Sequence, residues 1–580
     1  MLPIPRSQLH YADPAVNDES QSVPICAFVD RVQYPTLGCP ALLTADRPLS
    51  VLVSLPSGEA PESVTLALVD RHGAGAVLPL SLAAAPEAIG AGPAGRTGQR
   101  VLHQLTISLE DKPPGLYDLR VRTGSVEETQ PNAVRIYAQI TGRERVLYCG
   151  DSQFNVDNAL CLERWIDRVN ELPDVAWIAL VGDVCDNGVM SPMNLIRLSA
   201  RAGRGPVRAY YQDEYPGARS RLARLNKPVL LVPGNHDGMV AYEDYALGEP
   251  TDVYLGPDPK NPVAYDGLHH FRRTFGPLYF GFDWHRTRYL ATNTFELERH
   301  QRLGYHAVVT NWGGWMRPEQ VDWLKGELSS ATSRGLHKVA FCHHDPRGGC
   351  MGTRLGAYSE LRPFDLEGVV DIVAAYLRYA VGHTRSWQQE WMRWQGLPAG
   401  ANPVREVLAA LLEHRVWAVV MGHDNENWID SYPEGADIFR VKPRRVDYPA
   451  ALQVDADAAR EARDLLRAGD LGALDALLSP RPPEEASAVL EKAIELLEAR
   501  GYFQPTVAFA PGEIEAWDLR ARAPIHFTHV DDIGAYKHRK ESDFGAYGYV
   551  VAELDEGRPV SVQRFDVLGS SGDTEPLSGE

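Results

Sequence analysis

Five short polar clusters, each directly after an apolar segment, constrain the fold of this chain most strongly. The apolar segments, such as RVLYC, VAWIALV and HKVAFC, have the length and composition of buried strands. Segments with helical periodicity, such as NALCLERWIDRVNEL, separate them. Strands that alternate with helices predict an α/β domain, in which ligands bind beyond the carboxyl ends of the strands. We therefore expect one shared cleft for the five clusters, which are Gly150-Asp151-Ser152-Gln153, Gly182-Asp183-Val184-Cys185-Asp186, Gly234-Asn235-His236-Asp237, Cys342-His343-His344-Asp345 and Gly422-His423-Asp424-Asn425.

The residue types in these clusters indicate metal chemistry. Carboxylates, amide oxygens and imidazoles together suit two divalent ions of the Mn, Fe or Zn kind. A carboxylate between two ions can bridge them, and such a pair clamps an in-line phosphoryl displacement. An isolated Asp-Ser-Gln or Gly-His is usually only a turn or a cap. The joint pattern, always placed after a strand, favours a metal site.

The order of the clusters resembles that of the calcineurin-like metallophosphoesterases, whose motifs run D-x-H or D-x-Q, G-D-x-x, G-N-H-D/E, a strand-end His and G-H-x-H. The resemblance spans roughly Val146 to Asn425. The segment FRRTFGPLYFGFDWHRTRYLATNT is similar to one that many members carry after G-N-H-D. The resemblance implies an α/β fold, with a β-sandwich flanked by helices, and an enzyme that hydrolyses phosphoesters.

The resemblance also implies a set of metal ligands. Asp151 and Gln153 would hold the first ion, Asp183 would bridge both ions, and the second ion would take Asn235, a strand-end His and His423. The strand-end ligand is His343 or His344, and its position directly after the strand favours His343.

The last motif departs from the family pattern, because Asn425 stands where the family has a second His. With Gln153 in place of another His, the shell of the first ion becomes all oxygen. Such a shell favours Mn²⁺, with Fe or Zn as alternatives.

The same resemblance assigns roles around the substrate. His236 would orient the phosphate and protonate the leaving oxygen, with Asp237 holding its other nitrogen, while a hydroxide shared by the metals attacks phosphorus. His344 would face the substrate. Arg347, in DPRGG, has a side chain that can bind a phosphate bidentately, although a loop Arg is more often solvated.

The pattern of segments predicts four regions. Residues 1–142 contain short β-branched segments such as LSVLVSLP and predict an all-β, immunoglobulin-like domain that is dispensable for the chemistry. The catalytic domain is predicted at 143–430 and a partly helical insertion or cap at 431–545. The segment GYVVAELDEGRPVSVQRFDVL, within 546–570, predicts a closing β-hairpin of the catalytic domain with DEG as its turn.

Charge and composition limit the partners. The net charge of −19 argues against nucleic acid or an anionic membrane as a partner, since both attract clustered basic residues. It leaves a small phosphoester possible, because bound metal ions supply local positive charge. The N-terminal segment lacks a leader-like pattern, no apolar run reaches the ~20 residues of a spanning helix, and the seven cysteines show no CxxC spacing. We therefore expect a cytoplasmic protein; the pattern does not fix its oligomeric state.

The sequence thus predicts a metal-dependent phosphoesterase for a small or medium phosphomonoester or phosphodiester. One alternative is a cyclic-nucleotide or nucleic-acid phosphodiesterase. Another is a scaffold protein with a degenerate metal site, which Asn425 keeps open because a fold alone does not fix a function. The walls of the cleft carry no recognisable code for one substrate.

Overall fold

Strands and helices account for the apolar segments that the sequence analysis identifies. The computed structural model describes residues 32–73, 75–91, 100–154, 159–185, 209–238, 268–296, 316, 318–347, 403–423, 427–438, 456–468, 471–481, 485–486, 489, 493, 519–534 and 544–578.

The described regular structure before residue 138 is β-structure apart from one 3₁₀ turn at Pro61–Ser63. Its strands are β1 (Val32–Tyr34), β2 (Ala41–Thr44), β3 (Leu49–Pro56), β4 (Thr65–Val69), β5 (Val77–Leu82), β6 (Glu87–Ala91), β7 (Arg100–Ser108), β8 (Gly115–Thr123) and β9 (Val126–Tyr137). They pair in the order β1-β3-β7-β5-β4-β8-β9-β2, with β6 on β7. The all-β content agrees with the sequence, while the immunoglobulin-like topology stays a prediction.

This β region is joined to the rest of the chain by buried contacts. The Gly38 N–H donates to the Phe275 carbonyl at 2.8 Å, and the Gly38 carbonyl accepts the Leu231 N–H at 2.8 Å. The Tyr137 hydroxyl donates to the Ala176 carbonyl at 2.8 Å. One continuous apolar core contains side chains from both sides of this junction. Truncation near residue 142 would therefore expose that core, whatever the region contributes to chemistry.

Asn132 anchors the same junction. Its side-chain Nδ2 donates to the carbonyls of Ala223 and Leu225, at 3.2 and 2.8 Å, and the residue is fully buried. Asn132→Ala leaves both carbonyls without this donor, so we expect a loss of about 1–3 kcal/mol of unfolding free energy. Urea unfolding followed by fluorescence measures this loss.

Asn170→Ala is the matched control for that experiment. Asn170 donates to the Arg224 carbonyl of the same segment at 3.0 Å, but its bond is exposed, so water replaces the donor. We expect a loss below about 1 kcal/mol. Equal losses in the two variants would show that the Asn132 contacts do not hold the junction.

Twelve further strands form two six-stranded sheets. They are β10 (Arg145–Cys149), β11 (Val175–Val181), β12 (Val229–Val232), β13 (Phe280–Trp284), β14 (Thr287–Ala291), β15 (His337–Cys342), β16 (Ala418–Met421), β17 (Trp428–Tyr432), β18 (Ile525–His529), β19 (Gly548–Asp555), β20 (Arg558–Asp566) and β21 (Ser571–Pro576). The first sheet has the order β12-β11-β10-β19-β20-β21 and the second β13-β14-β15-β16-β18-β17. Strands β10 to β12 are parallel, as are β14, β15, β16 and β18, so their carboxyl ends share an edge in each sheet.

Aromatic side chains fill the space between the two sheets. The ring of Trp177, on the first sheet, lies 5.1 Å from Tyr289 and 6.3 Å from Phe341, both on the second. Helices cover the outer faces through two further apolar clusters. The described helices are α1 (Ala159–Glu171), α2 (Ala209–Leu222), α3 (His269–Phe275), α4 (Pro318–Ser333), α5 (Pro403–Glu413), α6 (Ala456–Ala468) and α7 (Leu471–Leu478). The predicted α/β architecture, a sandwich with helices outside, is confirmed at this level.

The chain returns to the sheets earlier than the sequence analysis expects. Helices α6 and α7 lie within 431–545, but so does β18, which pairs between β16 and β17 in the second sheet. The closing hairpin is present as β19 and β20, and its turn residues Glu556 and Gly557 both have positive φ, as a type I′ turn requires. None of the described helices is long and apolar enough to span a membrane.

Candidate metal centre

The predicted clusters meet where the parallel strands end. Asp151, Asp183 and Asn235 follow β10, β11 and β12 of the first sheet, whereas His343 and His423 follow β15 and β16 of the second. Backbone bonds connect them: the Gln153 N–H donates to the Asp183 carbonyl at 2.7 Å. The His423 N–H donates to Asp151 Oδ2 at 2.8 Å, which ties the two sheets together at this point.

The backbone at this edge is held in an unusual conformation. Asp151, Gln153, Asp183 and His423 have φ values of 52°, 37°, 53° and 74°. Residues other than glycine rarely adopt positive φ, and such strain concentrates at functional sites. The motif glycine Gly182 is required by the close approach of His343, because a Cβ at this position would lie 1.9 Å from His343 Nδ1.

Four side-chain atoms point toward one small volume. Asn235 Oδ1 lies 2.9 Å from His343 Nε2 and 3.0 Å from His423 Nδ1, and these two ring nitrogens are 3.3 Å apart. Asp183 Oδ2 is 3.3 Å from His343 Nε2. Ligand bonds of about 2.0–2.2 Å at octahedral or tetrahedral angles place neighbouring ligand atoms about 2.8–3.6 Å apart. The spacing therefore fits the shell of one divalent ion.

A second group of side chains, which includes Asp151, provides part of the shell of a second ion. Asp151 is fully buried, and its Oδ1 has no hydrogen-bond partner among the described residues. A buried carboxylate oxygen without a donor is costly unless a cation compensates it. Asp151, Asp183 and His343 also offer ligand atoms within 4.8 Å of one another. Asp183 and His343 thus belong to both groups, and of these two only the carboxylate of Asp183 has two oxygens with which to bridge two ions.

Gln153 is oriented differently from the expectation. Its amide nitrogen, rather than the oxygen that a ligand needs, lies 3.4 Å from Asp183 Oδ2 and 3.3 Å from His236 Nε2. A 180° rotation of the amide exchanges the two atoms without moving the side chain. Asn425, the other predicted amide ligand, lies outside the described residues.

The buried carboxylates of the cluster would be stabilised by added positive charge. Burial raises the pKa of Asp151 well above its usual range, although His343 opposes the shift. Burial also raises the pKa of Asp183, but the nearby imidazoles of His343 and His236 outweigh it and bring that pKa below its usual range. Burial lowers the pKa of His343, but the nearby Asp183 carboxylate outweighs burial and raises that pKa to about 9. Two buried carboxylates that shift a histidine in this way would be neutralised by divalent ions.

His236 lies where the sequence predicts, but Asp237 has different partners. His236 is buried, and its backbone N–H donates to Asp183 Oδ1 at 2.8 Å. Its ring Nε2 faces Asp183 Oδ2 at 3.7 Å. The Asp237 carboxylate instead accepts the backbone N–H groups of Val184, Cys185 and Gly234, at 3.2, 2.9 and 2.8 Å. Among the described residues, its contacts connect two loops and do not include the His236 ring.

Arg347 lies in a buried ion-pair network. Its guanidinium contacts both oxygens of Asp345, at distances down to 2.6 Å, and Asp430 Oδ2 at 2.8 Å. It also lies 3.2 Å from His529 Nε2 and over the ring of Phe527. All three guanidinium nitrogens contact protein groups, so the predicted phosphate contact has no support in this packing. The network instead holds the segment after β15 against β17 and β18.

A stability measurement separates these two roles of Arg347. Arg347→Met leaves Asp345 buried without its cation, and we expect a loss of about 3–5 kcal/mol of unfolding free energy. Arg286→Met is the matched control, because Arg286 pairs with Glu556 at an exposed position and should contribute less than about 1 kcal/mol. An Arg347→Met variant that stayed stable but had a raised KM would instead support a contact between Arg347 and the substrate phosphate.

Two further residues of this region, Thr294 and His529, lie outside the five polar clusters of the sequence. Thr294 follows β14, and its Oγ1 lies 2.7 Å from His344 Nδ1; His529 ends β18 and lies 3.1 Å from Asp345 Oδ2. Both follow the rule that identifies the other clusters, since RYLATNT and IHFTHVDD are apolar segments that end in polar residues.

An α/β sandwich with Asp, Asn and His gathered at the carboxyl ends of its strands defines a class of metal-dependent hydrolase folds. Residues 144–427 of this chain match the calcineurin-like phosphoesterase family. Over 134 residues the chain is 30% identical to the glycerophosphodiester phosphodiesterase GpdQ of Enterobacter lignolyticus (strain SCF1). That match covers 23% of this chain and 37% of the relative, so the similarity spans little more than a third of the relative.

Proposed function

We propose that this protein is a metal-dependent phosphoesterase that hydrolyses a small phosphodiester. The observation that carries the proposal is the convergence of Asn235, His343 and His423, whose ligand atoms lie 2.9–3.3 Å apart. Asp183 adjoins them, with its Oδ2 3.3 Å from His343 Nε2. The match of residues 144–427 to the calcineurin-like phosphoesterase family supports the reaction class. The similarity to a glycerophosphodiester phosphodiesterase supports a diester over a monoester.

Two divalent ions would be held by residues of this edge. Asp151, Gln153, Asp183 and Asn425 would bind the first ion, and Asp183, Asn235, His343 and His423 the second. When bound, the ions supply Lewis-acid polarisation of the phosphoryl group and a more acidic water. The oxygen-rich shell of the first site favours Mn²⁺, whereas the two imidazoles of the second also suit Fe or Zn.

The chain's own side chains would complete the reaction. His236 Nε2 faces the bridging carboxylate, and from there the ring would donate a proton to the leaving oxygen. Asp237 would fix the loops that carry Asp183 and His236 through its three backbone bonds. The net charge of −19 supports a small substrate over a polynucleotide.

A substrate and metal screen tests the proposal. Chelated and dialysed protein, reloaded with Mn²⁺, Zn²⁺ or Fe²⁺, is assayed with p-nitrophenyl phosphate and bis-p-nitrophenyl phosphate. We expect metal-dependent hydrolysis, highest with the diester. Protein that binds metal stoichiometrically but cleaves neither compound nor glycerophosphodiesters would favour the scaffold alternative. A higher rate with the monoester would contradict the diester assignment.

A further inference from the structure

Thr294 and His344 form a buried pair beside the metal centre. The backbone N–H of His344 donates to Thr294 Oγ1 at 3.1 Å, and the same oxygen lies 2.7 Å from His344 Nδ1. Both residues are fully buried. One hydroxyl therefore contacts both the backbone and the ring of the same histidine.

The hydrogen-bonding capacity of the hydroxyl decides which ring nitrogen of His344 carries the proton. A threonine hydroxyl has one hydrogen and two lone pairs, and one lone pair accepts the His344 backbone N–H. If Nδ1–H also donated, the buried Thr294 hydrogen would have no acceptor among the described residues, which is unfavourable. The hydroxyl therefore donates to Nδ1, and the proton of the neutral ring resides on Nε2.

His343 has the opposite arrangement. Its Nδ1 lies 3.0 Å from the Val181 carbonyl, which can only accept, so Nδ1 carries a proton and Nε2 is the nitrogen whose lone pair would bind a metal ion. That lone pair points to the Asn235 and His423 atoms described above. Adjacent histidines are thus fixed in different tautomers: His343 suits a metal, whereas His344 presents a donor.

The loop that carries Thr294 is itself fixed. The Asn293 N–H donates to Gln320 Oε1 at 2.8 Å, and Gln320 Nε2 donates to the Asn293 carbonyl at 2.7 Å. Asn293 Oδ1 accepts the Phe295 N–H at 2.9 Å. These bonds hold Thr294 between two anchored neighbours, so the orientation of the His344 ring is set before any substrate binds.

The His344 ring lies against the proposed ligands. Its centroid is 4.6 Å from that of His423 and 4.8 Å from that of His343. His236, in contrast, contacts Asp183 and Gln153. His236 and His344, the two histidines outside the proposed ligand set, therefore approach the cluster beside different proposed ligands.

We propose that Thr294 positions His344 as a neutral N–H donor to a phosphoryl oxygen of the substrate, in addition to His236. The proposal rests on the proposed function and deepens it, by naming the group that holds the anionic oxygen and the residue that sets its tautomer. The interaction is a hydrogen bond from Nε2–H to an anionic oxygen and requires no covalent step. The loss of a bond of this charged kind corresponds to about a tenfold or larger loss of affinity.

Thr294→Val tests the positioning role, because it keeps the shape of the side chain and removes the hydroxyl. We expect unchanged metal content, and at least about a tenfold loss of kcat/KM for bis-p-nitrophenyl phosphate. Inhibition by inorganic phosphate should weaken by a similar factor. Thr294→Ser restores the hydroxyl and should return both quantities to within about threefold of the parent protein.

Thr292→Val is the matched control. Thr292 is equally buried in the same loop, but its hydroxyl donates to the Phe341 carbonyl at 2.8 Å and does not contact His344. Inorganic phosphate should inhibit the Thr292→Val variant as strongly as it inhibits the parent protein. If phosphate inhibition weakened equally in Thr292→Val and Thr294→Val, Thr294 would contribute only packing. A Thr294→Ser variant as impaired as Thr294→Val would lead to the same conclusion.

His344→Ala supplies a second measurement that does not depend on the folding of Thr294→Val. It should keep its metal ions and lose phosphate affinity. Loss of a metal ion would make His344 a ligand and overturn the proposal, as would unchanged kinetics in Thr294→Val. If the parent protein itself neither bound metal nor hydrolysed phosphoesters, the proposed function would fail and this inference with it.

Discussion

Asp183→Asn is expected to lower turnover by at least about 10³-fold and to reduce the number of metal ions bound per chain. Asp183 Oδ2 lies 3.3 Å from His343 Nε2 and 3.4 Å from the Gln153 amide nitrogen, so one oxygen lies between the two proposed ligand groups. An amide in its place removes the negative charge that would neutralise both ions. Metal analysis after dialysis and steady-state kinetics measure the two effects.

Asp118→Asn is the matched control for this substitution. Asp118 is also buried, but it pairs with Arg71 and accepts the Asn132 N–H in the N-terminal β region. This variant should lose stability while keeping metal content and turnover per folded molecule. An Asp183→Asn protein that kept two ions and the parent turnover would remove Asp183 from the bridging position and leave the cleft without its proposed centre.

The sequence predicts which residues lie at the shared edge of the sheets, because that placement follows from where the strands end. Asp151, Asp183 and Asn235 come directly after buried parallel strands, and the geometry of such a sheet brings them together wherever the intervening loops go. The same rule places His343 and His423 on the second sheet. The contact between the two sheets, such as the His423 N–H on Asp151 Oδ2, then needs only the packing of their aromatic inner faces.

Individual side-chain partners could not be predicted in the same way. Asp237 was assigned to His236 from the motif, yet its carboxylate accepts three backbone N–H groups, two of them more than 50 residues away. Arg347 meets Asp430 and His529 through β17 and β18, and a short apolar segment such as IHFTH does not reveal that it lies between two other strands. Local patterns specify which edge a residue occupies, whereas its partner depends on distant segments.

The test of His236 depends on the chemistry of the leaving group. His236→Ala should keep its metal content, because the side chain lies beside the proposed ligands and is not one of them. With a diester that releases an alkoxide, we expect turnover to fall by ~10²-fold or more, since the leaving oxygen needs a proton. With p-nitrophenoxide as the leaving group the loss should be below about tenfold, because that oxygen needs little protonation.

Asp237→Asn distinguishes the two roles considered for Asp237. If the carboxylate oriented His236 as an acid, this variant would show the same dependence on the leaving group as His236→Ala. Because the carboxylate instead accepts the N–H groups of Val184, Cys185 and Gly234, an amide nitrogen there opposes at least one of these donors. We therefore expect lower stability and weaker metal retention, with equal fractional losses for both leaving groups. A uniform loss in His236→Ala as well would exclude His236 as the proton donor.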